Sequence, residues 1–173
     1  MISTDYNIEA LRILLDKRCL SERYYPLLPY TDALLSGLPL LGCRKKSDAE
    51  KLSDEALAQI GMTAPETLRL FRRFLTIYDV NPQKFKEIPK LCSDEEEQAA
   101  FRELYCLPGV KYVRAALYYR SGYRSIAAFA DTTVEEVLEK TARTIAENGL
   151  SCIVPLPKEV RTHIAVAKAF TAV

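Results

Sequence analysis

Proline and glycine interrupt this chain at short intervals, and the segments between them carry apolar residues three and four apart, without the alternation of a half-buried strand. Proline lacks the N–H that a helix interior needs, so helices between such breaks are short. Pro26, Pro29, Gly37 and Pro39 leave room for only one-turn or two-turn pieces between Ser21 and Pro39, with Leu27, Leu28, Leu34, Leu35 and Leu38 as core residues. The expected fold class is therefore all-α, built from many short helices. A strand has room only at Ser151 to Val154, ahead of two prolines.

Local stop and start signals divide the chain further. Thr4 is placed to cap a first helix carrying Ile8, Leu11, Leu15 and Cys19 along one side. Thr63 with Glu66, Ser93 with Glu96 and Thr133 with Glu136 read as capping boxes, each a hydroxyl with a carboxylate three residues on. A helix from Thr63 to Tyr78 presents Leu68, Phe71, Leu75 and Tyr78 on one face. Asn81 and Pro82 mark another start, and the acidic run from Asp94 to Glu97 suits the positive end of a helix dipole. Gly122 and Gly149 end helices, and Pro157 opens the last. The proline-bearing, acidic stretch from Asp79 to Ser93 is the expected meeting point of two helical subdomains, residues 1–90 and 91–173.

Basic and acidic residues number 24 and 23, so the net charge of +1 draws the whole molecule to neither a polyanion nor a membrane. An electrostatic binding surface must come from local clustering. No apolar run approaches the ~20 residues that span a bilayer, and Asp5, Glu9 and Arg12 break up the first apolar stretch, unlike a secretory signal. The expected location is cytoplasmic. The five cysteines are scattered and never spaced as CxxC, which suits reduced, mostly buried thiols and not a zinc module.

The most informative stretch runs from Phe101 to Ala130. One helix ends near Leu107, Pro108 and Gly109 turn the chain tightly, and a second helix runs from Val110 to Ser121. The continuation GYRSIAAFA followed by DTTVEEVLEK completes a series of LPGV, helix, GY, short helix and capped helix. This series resembles the layout of the helix-hairpin-helix superfamily. From Phe101 to Phe170 it is most similar to a bacterial family of unknown function made of such units, which ends, as here, in a proline-led helix with an AK step (Pro157, Ala167, Lys168). In DNA-binding members of the superfamily, such a turn holds a phosphate with its backbone amides. The resemblance thus implies a nucleic-acid site at Gly109, Val110 and Lys111 with Arg114, Arg120 and Arg124, making weak, sequence-independent contacts to DNA or RNA. Lys111 stands where those members carry a second glycine.

A second reading rests on the same residues. The turn then serves only the fold, and Tyr112, Tyr118, Tyr119 and Tyr123 are either core residues with wet hydroxyls or an exposed aromatic surface for another protein or a second copy. A fainter echo lies upstream, where GCRKKSDAEKLSDEAL (Gly42 to Leu57) overlays GYRSIAAFADTTVEEV (Gly122 to Val137), which suggests tandem units. Arg44, Lys45 and Lys46 read as a solvated turn.

No catalytic set emerges, and the expected protein is a non-catalytic binding module without metal or other cofactor. His163, the sole histidine, reads as a partly buried packing residue with no orienting partner to make it a base. Glu135, Glu136 and Glu139 suit capping and solvated charge. No glycine-rich phosphate loop, GxSxG or HExxH is present.

Overall fold

Eleven α-helices, none longer than fifteen residues, follow one another in the computed structural model, which describes residues 4–171. They are α1 (Leu11–Leu14), α2 (Thr31–Leu40), α3 (Lys46–Glu50), α4 (Asp54–Ala58), α5 (Pro65–Thr76), α6 (Ile88–Leu91), α7 (Glu95–Leu104), α8 (Tyr112–Arg120), α9 (Ile126–Ala130), α10 (Val134–Asn148) and α11 (Pro157–Thr171). Three 3-10 stretches join them: Ile8–Ala10, Glu22–Tyr30 and Pro82–Glu87. The fold is all-α. Among the described residues there is no strand beyond an isolated bridge between Asn7 and Lys45, and Ser151 to Val154 is irregular. No described helix is long and apolar enough to cross a membrane.

Several helix starts differ from the sequence expectation, because a neighbouring residue takes the cap or, in α5, because a proline sets the first turn. Asn7, not Thr4, caps the first helical turn, accepting from the Glu9 amide at 3.1 Å. Pro65 begins α5 with Ala64 as its cap, so the Thr63–Glu66 box does not form; proline fixes the first-turn backbone by itself. Asp94 caps α7 through the Glu97 amide at 2.8 Å, and Glu97 reaches back to the amide and hydroxyl of Ser93. The box is therefore shifted by one residue. Thr133 caps α10 through the Glu136 amide, but the Glu136 carboxylate turns to the Thr132 hydroxyl and Lys140, so only half of that box forms. In α2 the helix runs on through Gly37 and Pro39 to ten residues, because a proline in the last turn removes only one donor.

α11 organises the packing. α9, α1 and α10 all lie against it, and it buries residues from Val160 to Phe170 on nearly every side, as an enclosed helix does. One apolar cluster runs from Tyr6 and Leu11 through Phe71, Phe101 and Phe129 to Val166. Near its N-terminal edge, the turn after α1 meets α11: the Cys19 thiol donates to the Arg161 carbonyl, and the Thr162 hydroxyl, 3.0 Å from Lys158 O in its own helix, shares its proton with the Cys19 carbonyl at 3.3 Å.

The upstream echo has a structural counterpart. After α2, Gly42 N–H bonds to Pro39 O and Cys43 N–H to Leu38 O; after α8, Gly122 N–H bonds to Tyr119 O and Tyr123 N–H to Tyr118 O. Both glycines have positive φ. A short helix follows each, α3 and α9, and the same offset pairs buried Ala49 with Phe129 and Leu57 with Val137. Lys46 falls opposite Ile126, at an apolar position. It is accordingly buried and not solvated, and it pairs with Asp79 and with Glu50 (3.2 Å). Burial works against its ammonium, but the hydrogen bonds to those two carboxylates outweigh that and hold its pKa above the usual lysine value.

Candidate binding site at the start of helix α8

The α7–α8 turn is made by local backbone bonds: Leu107 N–H to Leu104 O (3.0 Å) and Val110 N–H to Leu107 O (3.2 Å). Gly109 has φ +73°, a left-handed conformation that a side chain disfavours. Val110 is buried and anchors the turn. Lys111 is the extended cap residue of α8 and contributes no side-chain cap bond. The first-turn amides of Tyr112, Val113 and Arg114 consequently have no helical acceptor. The α4, α7, α9 and α10 starts are closed by Ser53, Asp94, Ser125 and Thr133, whereas α8 also lacks an acidic residue in its first turn.

Beneath the turn sits His163, fully buried on α11. Its Nε2 lies 2.8 Å from the Pro108 carbonyl and its Nδ1 2.9 Å from the Tyr118 hydroxyl. A carbonyl only accepts, so Nε2 carries the proton and Tyr118 donates to Nδ1. Burial pushes the imidazole pKa down, with the Pro108 bond opposing it. Burial likewise raises the Tyr118 phenol. The ring is therefore neutral and structural, and its orienting partners are a backbone carbonyl and a buried tyrosine. Sequence alone placed this histidine as only partly buried.

In front of the turn opens a cleft of about 700 Å³ lined by Gly109, Lys111, Tyr112, Val113 and Arg114 from the hairpin, Ser151, Cys152 and Ile153 from the loop after α10, and Glu87 and Glu159. A smaller hollow of about 160 Å³ extends past Tyr112 and Val113 to Leu150 and Arg120. Glu87 accepts from the buried Tyr105 hydroxyl at 3.0 Å. Among the described residues no group of three or more histidine, cysteine, aspartate or glutamate side chains is placed to hold a metal ion.

The expected anion-site residues are dispersed in their engagements. Gly109, Lys111 and Arg114 line the cleft, whereas Val110 points into the core. Arg114 does not stand free at the helix start. It grips Glu159 with two nitrogens (2.9 and 3.4 Å) and donates to the Ile153 carbonyl at 3.0 Å. Its positive charge is thereby matched. Arg124 pairs with Glu96 at 2.9 Å and lies 4.6 Å over the Tyr119 ring, so its charge is already engaged. Arg120 is exposed. Glu103 does not oppose the arginines either; its carboxylate caps α9 by accepting from the Ile126 amide at 2.7 Å.

The tyrosine group does not form an exposed aromatic surface. Tyr118 and Tyr123 are buried against Phe129, with ring centroids 4.7 and 4.9 Å from it. Thr132 gives its proton to Glu136, so the Tyr123 hydroxyl donates to Thr132. Tyr119 is half-buried, and Tyr112 alone of the four is exposed. The residues missed by sequence reasoning, Glu87, Cys152, Ile153 and Glu159, reach the cleft from other segments and carry no motif.

Residues 96–170 are similar to a domain of unknown function (DUF4332). The match takes in most of α7, all of α8 to α10 and nearly all of α11, and so includes most of the cleft. No curated protein and no solved structure matches the chain.

Proposed function

We propose that the protein is a non-catalytic helical binding module that receives an apolar segment of another protein in the cleft at the start of α8. The observation that carries this reading is where the exposed large apolar side chains gather. Tyr112 (39% exposed), Val113 (62%) and Ile153 (73%) line the cleft, and Val154 and Leu156 (66%) continue the same loop. Exposed apolar side chains gathered in one patch mark interaction sites. The rim selects the kind of segment. Glu87 and Glu159 are already bonded internally, whereas Lys111 and Arg120 are exposed and in no ion pair among the described residues. Apolar anchors with acidic flanks complement that arrangement. A peptide library selected on the wild-type protein and counter-selected on Val113→Asp/Ile153→Asp tests this. The expected sequences carry two or more apolar anchors beside Asp or Glu and lose binding to the double variant. A selection that returns nothing able to distinguish the two proteins sinks the reading.

A second reading draws on the resemblance of LPGVKYVRAA to phosphate-gripping hairpins. Its support is the uncapped first turn of α8 beside the left-handed Gly109 and the exposed Lys111, an arrangement that favours an anion. With Arg114 and Arg124 paired, Lys111 is the principal charge, so binding to DNA or RNA here is weak and indifferent to sequence. Lys111→Glu should remove such binding without disturbing the fold. Retention of full affinity in that variant excludes the turn as the contact.

A further inference from the structure

On the side of α11 away from that cleft, α1, the turn after it, and the start of α10 enclose a groove of about 360 Å³. Its floor is apolar, with Ile13, Val134, Ile164 and Ala165, and its walls carry Arg12, Arg161 and Lys168. Arg18 adds a fourth cation near enough to act, with Arg161 and Lys168, on the Cys19 thiol. All four are exposed, and none is in an ion pair among the described residues. Among the lining residues Asp16 alone is acidic, while Glu135 and Glu136 follow lining Val134 in the first turn of α10 and Glu136 is paired with Lys140. Asp16 lines the groove, with its carboxylate accepting from the Arg18 amide at 2.8 Å, and Glu9 lies across Arg12 in a neighbouring hollow. In a chain whose net charge is only +1, this is local clustering of unmatched positive charge.

The scaffold beneath these cations is firm. The Cys19 thiol bonds to the Arg161 carbonyl, and the Thr162 hydroxyl shares its proton between Lys158 O and Cys19 O, which links the basic turn to α11. Arg161 and Lys168 are seven residues apart on one helix, so they stand about 10 Å apart along the same stripe. Ile164 and Ala165 lie between them, and Arg12 faces them from α1. The row suits a ligand with negative charge repeated along its length.

We infer that the α1–α11 groove binds the phosphodiester backbone of duplex nucleic acid. Two features choose this polyanion. No aromatic side chain lines the groove, so it lacks the stacking platform typical of single-strand binding. None of the exposed large apolar side chains lies on α1, α10 or α11, so nothing there inserts into a bilayer. Contacts to phosphates alone carry little base information, and binding is indifferent to sequence.

Fluorescence anisotropy of a labelled random-sequence duplex with the full chain, beginning at about 50 mM salt, tests the assignment. Four contacts give a log-log salt slope of about −3.6. Arg161→Glu/Lys168→Glu is expected to lower affinity at least about tenfold and to flatten the slope by about 2, while Lys90→Glu, at an exposed lysine outside both the groove and the α8 cleft, leaves both nearly unchanged. Absence of salt-sensitive binding by the folded wild type overturns the inference, as does a wild-type affinity in Arg161→Glu/Lys168→Glu. Loss of binding only in Lys111→Glu overturns it in favour of the α8 turn. Competition by polyglutamate as effective as by unlabelled duplex at equal charge replaces the nucleic acid with an acidic protein segment. None of these outcomes bears on peptide capture at the α8 cleft, so the two proposals stand or fall separately.

Discussion

His163 donates through Nε2 to the carbonyl of Pro108, 55 positions earlier, so the tight turn ahead of α8 is held from below by the last helix. His163→Phe keeps a ring in the space but leaves the Pro108 carbonyl and the Tyr118 hydroxyl without their partner. Each buried group so orphaned costs about 1–3 kcal/mol, and urea unfolding of the variant should show a loss of about 3 kcal/mol. A loss below about 1 kcal/mol would mean that water or a shifted backbone replaces both bonds.

The same ring sets an acid limb of stability. Its pKa is held below the ordinary value in the folded protein and returns to about 6.5 on unfolding. As pH falls, the unfolded chain takes up the proton first, so the stability is complete above about pH 7 and declines below 6.5, by up to about 1.4 kcal/mol per unit. The chain has a single histidine, so between pH 7 and pH 5 this slope belongs to His163. Stability measured over that range should slope for the wild type and be nearly flat for His163→Phe; equal slopes would refute the assignment.

Arg114 and Glu159 form a half-buried pair that ties α8 to the first turn of α11. Arg114→Glu places two carboxylates together there and should cost about 2–3 kcal/mol, whereas Lys111→Glu, at an exposed cap, should stay within about 0.5 kcal/mol. Combining Arg114→Glu with Glu159→Arg should recover part of the loss. A double-mutant cycle with no coupling would show that the pair is incidental.

Lys46 offers a contrast between size and charge. Its partners Asp79 and Glu50 keep access to water, so removing the ammonium does not strand them. Lys46→Met should therefore lie within about 1 kcal/mol of wild type, while Lys46→Ala, which empties the space at this apolar position, should lose about 2 kcal/mol or more. The reverse order in thermal unfolding would mean that charge dominates.

The 3-10 stretch Pro82–Glu87 and its flanks are mostly exposed, and protease should cut first between Asp79 and Ser93. Because α1 packs on α11, the two fragments should stay together through native gel filtration and separate only in denaturant. Early cutting elsewhere would argue against a division at this segment.

What sequence could reveal here was local, and what it missed was long-range. Gly109, Gly122 and Gly149 have the positive φ that their places at turns and helix ends imply, and the helical class follows from the apolar spacing. The echo between Gly42 and Gly122 also puts Lys46 opposite an isoleucine, which argues for burial. By contrast, Arg114 and Glu159 are 45 residues apart, and nothing in either segment announces the other. The tyrosines illustrate the same limit. Their helical spacing fits a core and a surface equally, and Phe129 and His163, from other helices, decide the outcome.

The bond between Cys19 and Arg161 spans 142 positions. On a ribosome adding about 5–20 residues per second, α1 would emerge roughly 7 to 30 s before the helix that covers it. α2 packs on α1 soon after both emerge, but the side of α1 that α11 covers stays open to solvent, or to whatever shields it, throughout that interval. The order of synthesis therefore sets a waiting time that refolding of the finished chain in a test tube does not contain, and a nascent-chain holdase should matter more to its yield in cells than its final stability suggests.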